Sequence, residues 1–163
     1  IQVELASPQG RYEDGAAIDP EAFIQAFREA KAVAQGHGRE LKYSGARFPE
    51  VTDIFCRAVS GAFAVTPGGM VSSCFEARED DERFVYGRYD PASGDFRIDT
   101  ARRQALLKLG VHHRAGCQDC IAKYHCAGDC AMKSGTGPAA EARCLINREL
   151  TKDLILESLE SSP

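Results

Sequence analysis

The chain has 163 residues, 44% apolar and 27% charged, an ordinary globular composition with room for a real core. Twenty Lys+Arg against twenty-four Asp+Glu give a net charge of −4, which argues against a basic DNA-binding protein or charge-driven attachment to an anionic membrane. The longest uncharged stretch, Ala58 to Phe75, is interrupted by Pro67 and by Gly61, Gly68 and Gly69, so no segment reads as a bilayer span. Ile1-Gln2-Val3-Glu4-Leu5 has no basic region, long apolar run or initiator Met, and reads as the start of a fragment of a longer, cytoplasmic chain.

Residues 1–50 read as a β-α-β unit. Ile1, Val3 and Leu5 alternate with polar residues as in a short strand. The turn-rich Ser7-Pro8-Gln9-Gly10-Arg11 follows; its Gly-Arg pair reads as a surface turn, with a place facing an active site as the sharper alternative. Asp19-Pro20-Glu21 starts a helix: Asp caps, Pro takes the first helical position, and Glu suits the positive dipole end. Phe23, Ile24, Phe27 and Ala34 give it one apolar face, and Gly36-His37-Gly38 stops it. Leu41-Lys42-Tyr43-Ser44 is the next strand, making a parallel crossover.

The rhythm then changes. Ala62–Val65 and Met70–Ser73 read as strands joined by Thr66-Pro67-Gly68-Gly69, a hairpin signal. Phe84-Val85-Tyr86 adds a third strand after the acidic run Glu79 to Glu82, which reads as a solvated loop, and Asp90 to Gly94 reads as another loop. Thr100 to Leu109 is a short helix, with Leu106 and Leu109 inward and Gly110 ending it. Residues 111–138 show little regular pattern. Gly137-Pro138 opens a last helix whose Leu145, Ile146, Leu150, Leu154, Ile155 and Leu159 read as a core stripe. The fold class is α+β.

Cysteine is the outlier. Seven thiols, Cys56, Cys74, Cys117, Cys120, Cys126, Cys130 and Cys144, cannot all pair within one chain, and clustered cysteines in an intracellular chain favour metal ligation. The spacing is Cys56-x12-Gly69-x4-Cys74, then Cys117-x2-Cys120-x5-Cys126-x3-Cys130, then Cys144. A C-x2-C loop lets two thiolates grip one metal centre with little backbone strain, and iron–sulfur cubanes take four thiolates each.

This pattern resembles the SPASM domain, the auxiliary-cluster extension of radical S-adenosylmethionine (SAM) enzymes that modify peptides and proteins. Cys126-Ala127-Gly128-Asp129-Cys130 is similar to that family's Cys-x-Gly-Gly-Cys end. The resemblance implies an α+β architecture in which residues 1–50 are the β-α-β remnant of a partial (β/α) barrel and residues 51–163 are the SPASM domain with its C-terminal helix. It implies two auxiliary [4Fe-4S] clusters, the first on Cys56, Cys74 and Cys130 and the second on Cys117, Cys120, Cys126 and Cys144. Some family members supply an eighth Cys shortly after the Cys56 position. Here Arg57-Ala58-Val59-Ser60 follows, so the resemblance implies an open iron or a non-thiol ligand at the first cluster.

The SAM-cleaving C-x3-C-x2-C motif is missing. The only C-x3-C is Cys126 to Cys130, and Lys133 stands three further on. This chain is therefore not expected to cleave SAM alone; SAM and a third [4Fe-4S] cluster would belong to a radical SAM core outside it, in a parent oxidoreductase or maturase. The implied role is electron transfer and substrate positioning, with a peptide or protein substrate and a small electron donor such as ferredoxin or flavodoxin as partners, and neither nucleic acid nor membrane.

The main alternative uses the same run. Cys117-x2-Cys120-x4-His125-x4-Cys130 has the spacing of a zinc knuckle binding single-stranded nucleic acid, or of structural zinc, but leaves Cys56, Cys74, Cys126 and Cys144 without roles. Taken singly, each cysteine also reads as a small buried hydrophobe. His112, His113 and His125 read as loop or supporting residues, and Lys123 and Tyr124 as residues that tune the second cluster or are merely solvated.

Overall fold

The computed structural model describes residues 1–7, 17 and 19–161. The Gly10-Arg11 turn lies outside the described residues. Strand β1 (Gln2–Val3), helix α1 (Pro20–Gly36) and strand β2 (Lys42–Tyr43) form the first unit. β1 and β2 pair in parallel, Gln2 opposite Lys42 and Val3 opposite Tyr43, which is the crossover the sequence implies. The Asp19 carboxylate accepts the Ala22 N–H at 2.9 Å, so the expected cap holds the start of α1.

A four-stranded antiparallel sheet follows in chain order: β3 (Ala64–Val65), β4 (Met70–Ser72), β5 (Val85–Asp90) and β6 (Asp95–Ile98). The β3–β4 hairpin turns where Pro67-Gly68-Gly69 was expected to turn it, with Gly69 at φ +79°. β6 is new relative to the sequence reading: the Asp90–Gly94 loop is itself a hairpin turn. All four β6 residues are exposed, so this edge strand carries no buried apolar face to announce it. It is held by the backbone ladder, Gly87 opposite Ile98 through Asp90 opposite Asp95, and by the ion pair of Arg97 with Asp90. A Cβ at Gly87 would sit 2.7 Å from the Arg97 carbonyl oxygen, so only glycine fits there. The acidic run is also more than a solvated loop. Glu79 Oε1 accepts the Gly68 N–H at 2.9 Å, and the Asp81 carboxylate takes both Arg83 Nε and Nη2, at 3.0 and 2.8 Å.

Helix α2 (Thr100–Ala105) is capped by the Asp99 carboxylate and tightens into a 3₁₀ turn over Leu106–Leu109. Three-residue 3₁₀ turns at Val111–His113 and Ala115–Cys117 lead to the single-turn helix α3 (Lys123–Cys126), and helix α4 (Pro138–Glu160) closes the described chain. No helix among the described residues is long and apolar enough to cross a membrane.

Two apolar clusters result. The first gathers Leu5, Ile24, Phe27, Ala34, Leu41, Tyr43 and Ala46 with Ile146 and Leu150, so α4 packs onto the N-terminal unit. Arg28 pairs with Asp153 through two bonds of 2.7 and 3.0 Å, and Lys31 with Glu157, along the α1–α4 seam. The second cluster gathers Ala58, Val59, Val71, Phe84, Tyr86, Leu106 and Ala131 under the sheet, with Cys74 packed against it. The expected leucine stripe of α4 is therefore only partly core: Ile146 and Leu150 are buried, whereas Leu159, about half a turn around the helix from Leu150, is 68% exposed.

Truncating Ile146, fully buried between α4 and α1, to Ala removes core volume that cannot be refilled and should cost about 2–4 kcal/mol. The matching change Leu159→Ala at the exposed end should stay within about 0.5 kcal/mol. Urea unfolding of the two variants beside the parent checks this.

Candidate metal centre

The cysteines are brought together by loops whose backbone hydrogen bonds are pinned by side chains. Arg47 fixes the segment entering Cys56: its Nε donates to the His125 carbonyl at 3.4 Å and its Nη1 to the Phe55 carbonyl at 3.2 Å, with the guanidinium over the Phe55 ring. The Thr52 N–H bonds the Tyr124 carbonyl at 2.9 Å, tying the same segment to α3. Cys74 follows β4. Ser72 Oγ accepts the Cys74 N–H at 3.2 Å and donates to the Cys74 carbonyl at 2.9 Å, which closes a tight turn there.

Between Cys126 and Cys130 the chain does something unusual. Ala127, Gly128 and Asp129 all have positive φ, +51°, +81° and +61°. A Cβ on Gly128 would lie 3.3 Å from Val111 Cα, so that position needs glycine for space as well as conformation. Asp129 also lies in the left-handed region, which Asp tolerates better than most residues. Its carboxylate accepts the Cys130 N–H at 2.7 Å and grips Arg143 of α4 through two bonds, Nε at 2.7 Å and Nη2 at 2.9 Å, with both side chains buried. Burial pulls the Arg143 guanidinium down, but the Asp129 hydrogen bonds and charge outweigh it and hold the pKa above its ordinary value.

This turn divides the thiols. Burial pushes the Cys56 thiol up, and charge on Cys130 and Glu76 adds to the shift while the Ala58 N–H and Arg47 oppose it. Cys74 behaves alike: burial raises it, the Glu76 N–H lowers it, and Cys130 and Glu76 raise it further. On the other side, burial raises Cys117, with Cys144 and Cys120 adding and Arg114 and Lys123 opposing. Cys126 is pushed up to about 12, by burial first and then by Asp129, with Cys117 and Cys144 contributing and an Asn147 hydrogen bond opposing. Cys144 is raised by burial, then by Asp129 and Cys120. Among the leading influences, Cys130 acts on Cys56 and Cys74, while Cys117, Cys126 and Cys144 are acted on by one another or by Cys120.

All seven cysteines are free thiols, Cys56 and Cys144 exposed and the others partly buried. Among the described residues no three His, Cys, Asp or Glu side chains converge on one point as ligands of a single ion would. Four thiolates around one zinc stand about 3.8 Å apart, by tetrahedral geometry at a Zn–S distance of about 2.3 Å. A cubane gives each thiolate its own iron and so spreads them wider. The zinc-knuckle set is divided: Cys130 acts on Cys56 and Cys74, while His125 Nδ1 lies 2.8 Å from the Glu50 carbonyl oxygen and its ring packs edge-on against Phe48. His112 Nε2 lies 3.3 Å from the exposed Asp53 carboxylate.

The residues also fit an iron–sulfur group in what they leave unpaired. Arg47 Nη2 and Glu76 Oε2 are buried without hydrogen-bond partners, and both groups act on Cys56. An unmatched buried N–H suits the sulfides of a cluster, which accept such bonds and whose potential they tune. Near the second set, Asn147 Nδ2 donates to Cys126 Sγ at 3.2 Å, and Lys123 Nζ donates to Gln118 Oε1 at 3.2 Å while its charge acts on Cys117.

Arg47, Glu76, Arg114, Arg143 and Asn147 were not singled out from sequence. For the last two a signal existed: Arg143 and Asn147 lie four residues apart on one face of α4, flanking Cys144, in an otherwise apolar inward stripe.

Comparison with known proteins yields no match to a family model, to a curated protein or to a solved structure.

Replacing Asp129 with Asn keeps the left-handed turn but strands the Arg143 charge, and should cost about 3–5 kcal/mol in denaturant unfolding. Lys152→Ala, which breaks the exposed pair with Glu149, should cost about 0.5 kcal/mol or less. Equal effects of the two changes would refute a structural role for the buried pair.

Proposed function

We propose that this chain is an auxiliary-cluster module of a radical SAM enzyme that modifies a peptide or protein. In this reading a barrel-derived β-α-β unit precedes a SPASM domain that binds two [4Fe-4S] clusters for electron transfer and substrate positioning. The observation that carries it is which thiols act on which: Cys130 on Cys56 and Cys74, but Cys117 and Cys144 on Cys126, with a left-handed turn between Cys126 and Cys130. That is the crossover by which the last cysteine of a compact run serves a different cluster from its neighbours.

In this reading Cys56, Cys74 and Cys130 hold the first cluster and Cys117, Cys120, Cys126 and Cys144 the second. When bound, the clusters supply one-electron redox steps. The chain's own residues set how readily those occur. Arg47 lies toward the first site, Arg114 and Lys123 toward the second, and each places positive charge where thiolates and sulfides accumulate negative charge. Asn147 donates to a ligating sulfur, and the Ala58, Glu76 and Ala77 N–H groups do the same at Cys56 and Cys74. The substrate is a peptide or protein placed beside a radical generated by the SAM-cleaving core, and the electron donor is a small ferredoxin or flavodoxin.

Protein prepared without oxygen, or reconstituted with iron and sulfide, should be brown and carry about eight iron per chain. Cys130→Ala should lower this to about four by removing the first cluster alone; Cys144→Ala should disable the second. Colourless protein that holds one or two zinc and takes up no iron and sulfide would overturn the reading in favour of structural zinc.

A further inference from the structure

A cubane takes four protein ligands, and the first set offers three thiols. Of the residues after Cys56, where an eighth cysteine would stand, only Ser60 carries an oxygen that could ligate iron, and it donates to the Arg57 carbonyl at 3.2 Å. The loop after Cys74 supplies a carboxylate. Glu76 stands two residues beyond Cys74, and its own N–H bonds the Cys74 sulfur, so the two residues are held at one spot. Its carboxylate is split in use: Oε1 lies 3.4 Å from Lys133 Nζ, three residues beyond Cys130, whereas Oε2 is buried with no partner. A carboxylate oxygen taken from water and given nothing in return is costly, so an unmatched one marks a missing partner.

Position narrows that partner. Glu76 is near enough to Cys56 and to Cys74 to act on both, although the two lie on different loops. It is tethered by Lys133 to the segment that carries Cys130. Its free oxygen thus sits on a side chain anchored between the Cys74 loop and the segment that carries Cys130.

We propose that Glu76 is the fourth ligand of the first cluster, bound through Oε2 to the iron that Cys56, Cys74 and Cys130 leave open. The proposal rests on the cluster reading above. With Oε1 held by Lys133 the carboxylate binds through one oxygen, and Lys133 and Arg47 place two positive charges against the added negative one. A carboxylate is a harder donor than a thiolate and holds iron of such a cluster less firmly, so this corner is the exchangeable one. No bond other than Fe–O forms or breaks, and no electron moves.

The test compares the reconstituted parent chain with Glu76→Ala, Glu76→Cys and Cys130→Ala by iron content and by electron paramagnetic resonance during mild oxidation. Loss of the least firmly held iron converts a [4Fe-4S] cluster to a [3Fe-4S] cluster with its own signal. Glu76→Ala should form that signal more than about tenfold faster than the parent. Glu76→Cys, with a fourth thiolate, should suppress it while keeping about eight iron, which also shows that the altered loop still folds. Cys130→Ala should lack the signal, assigning it to the first site. Equal rates in the parent, Glu76→Ala and Glu76→Cys, all with about eight iron, would overturn the Glu76 assignment and leave the two-cluster reading intact. A parent chain that takes up no iron and sulfide would overturn both.

Discussion

The buried pair of Asp129 and Arg143 is the contact on which the arrangement of thiols depends. It lies where three consecutive left-handed residues reverse the chain, and it joins that reversal to α4, whose other inward residues Ile146 and Leu150 are locked against α1. The pair acts with the Asn147 bond to the Cys126 sulfur and the Ser134 Oγ bond to the Cys130 carbonyl, which fix the two cysteines on either end of the turn. An apolar pair of equal volume would give similar or greater stability, so a charge here is justified by direction rather than by strength. Two bidentate bonds fix the orientation of a loop that has little regular structure of its own.

α4 thereby serves two neighbours with one helix. Ile146 and Leu150 face the N-terminal core, while Arg143, Asn147 and Thr151, four residues apart, run as a buried polar stripe beside them. Asn147 reaches the Cys126 sulfur, and its side chain also fills the space above Gly45, where a Cβ would collide with it. The helix that packs the β-α-β unit is therefore the one that positions the cysteine loop. Destabilising the first cluster of apolar residues would loosen the thiols without touching any of them.

Much of this was legible in the sequence because it rests on local rules. The Asp19 cap, the parallel β1–β2 crossover, the Pro67-Gly68-Gly69 hairpin and the start of α4 at Pro138 each follow from a residue type at a fixed place in an element. β6 was not legible, since an exposed edge strand is specified by its partner's backbone rather than by its own pattern. Leu159 shows the converse failure: read into the apolar stripe, it lies about half a turn around the helix from Leu150 and so faces away from the core. At the site, the cysteine spacings named every thiol, yet the groups that surround them come from 47, 76, 114, 143 and 147. Those are joined to the thiols by folding and not by spacing.

The two groups of thiols differ in the charges that surround them. Among Cys117, Cys120, Cys126 and Cys144, Arg114, Lys123 and Arg148 supply positive charge, and Arg114 is itself fixed by Ser134 Oγ at 2.7 Å and the Leu109 carbonyl at 3.2 Å. At Cys56 the positive charge of Arg47 is opposed by Glu76, which also acts on Cys74. A cluster's reduction adds negative charge, so a site richer in nearby cations takes an electron more readily. The second group, however, also has the Asp129 carboxylate acting on Cys126 and Cys144, and the first has Lys133 paired with Glu76, so in the two-cluster reading nearby charge alone does not separate the two sites in ease of reduction. In that reading the difference lies in the ligands instead: four thiolates at the second site, against three thiolates and the Glu76 carboxylate proposed for the first.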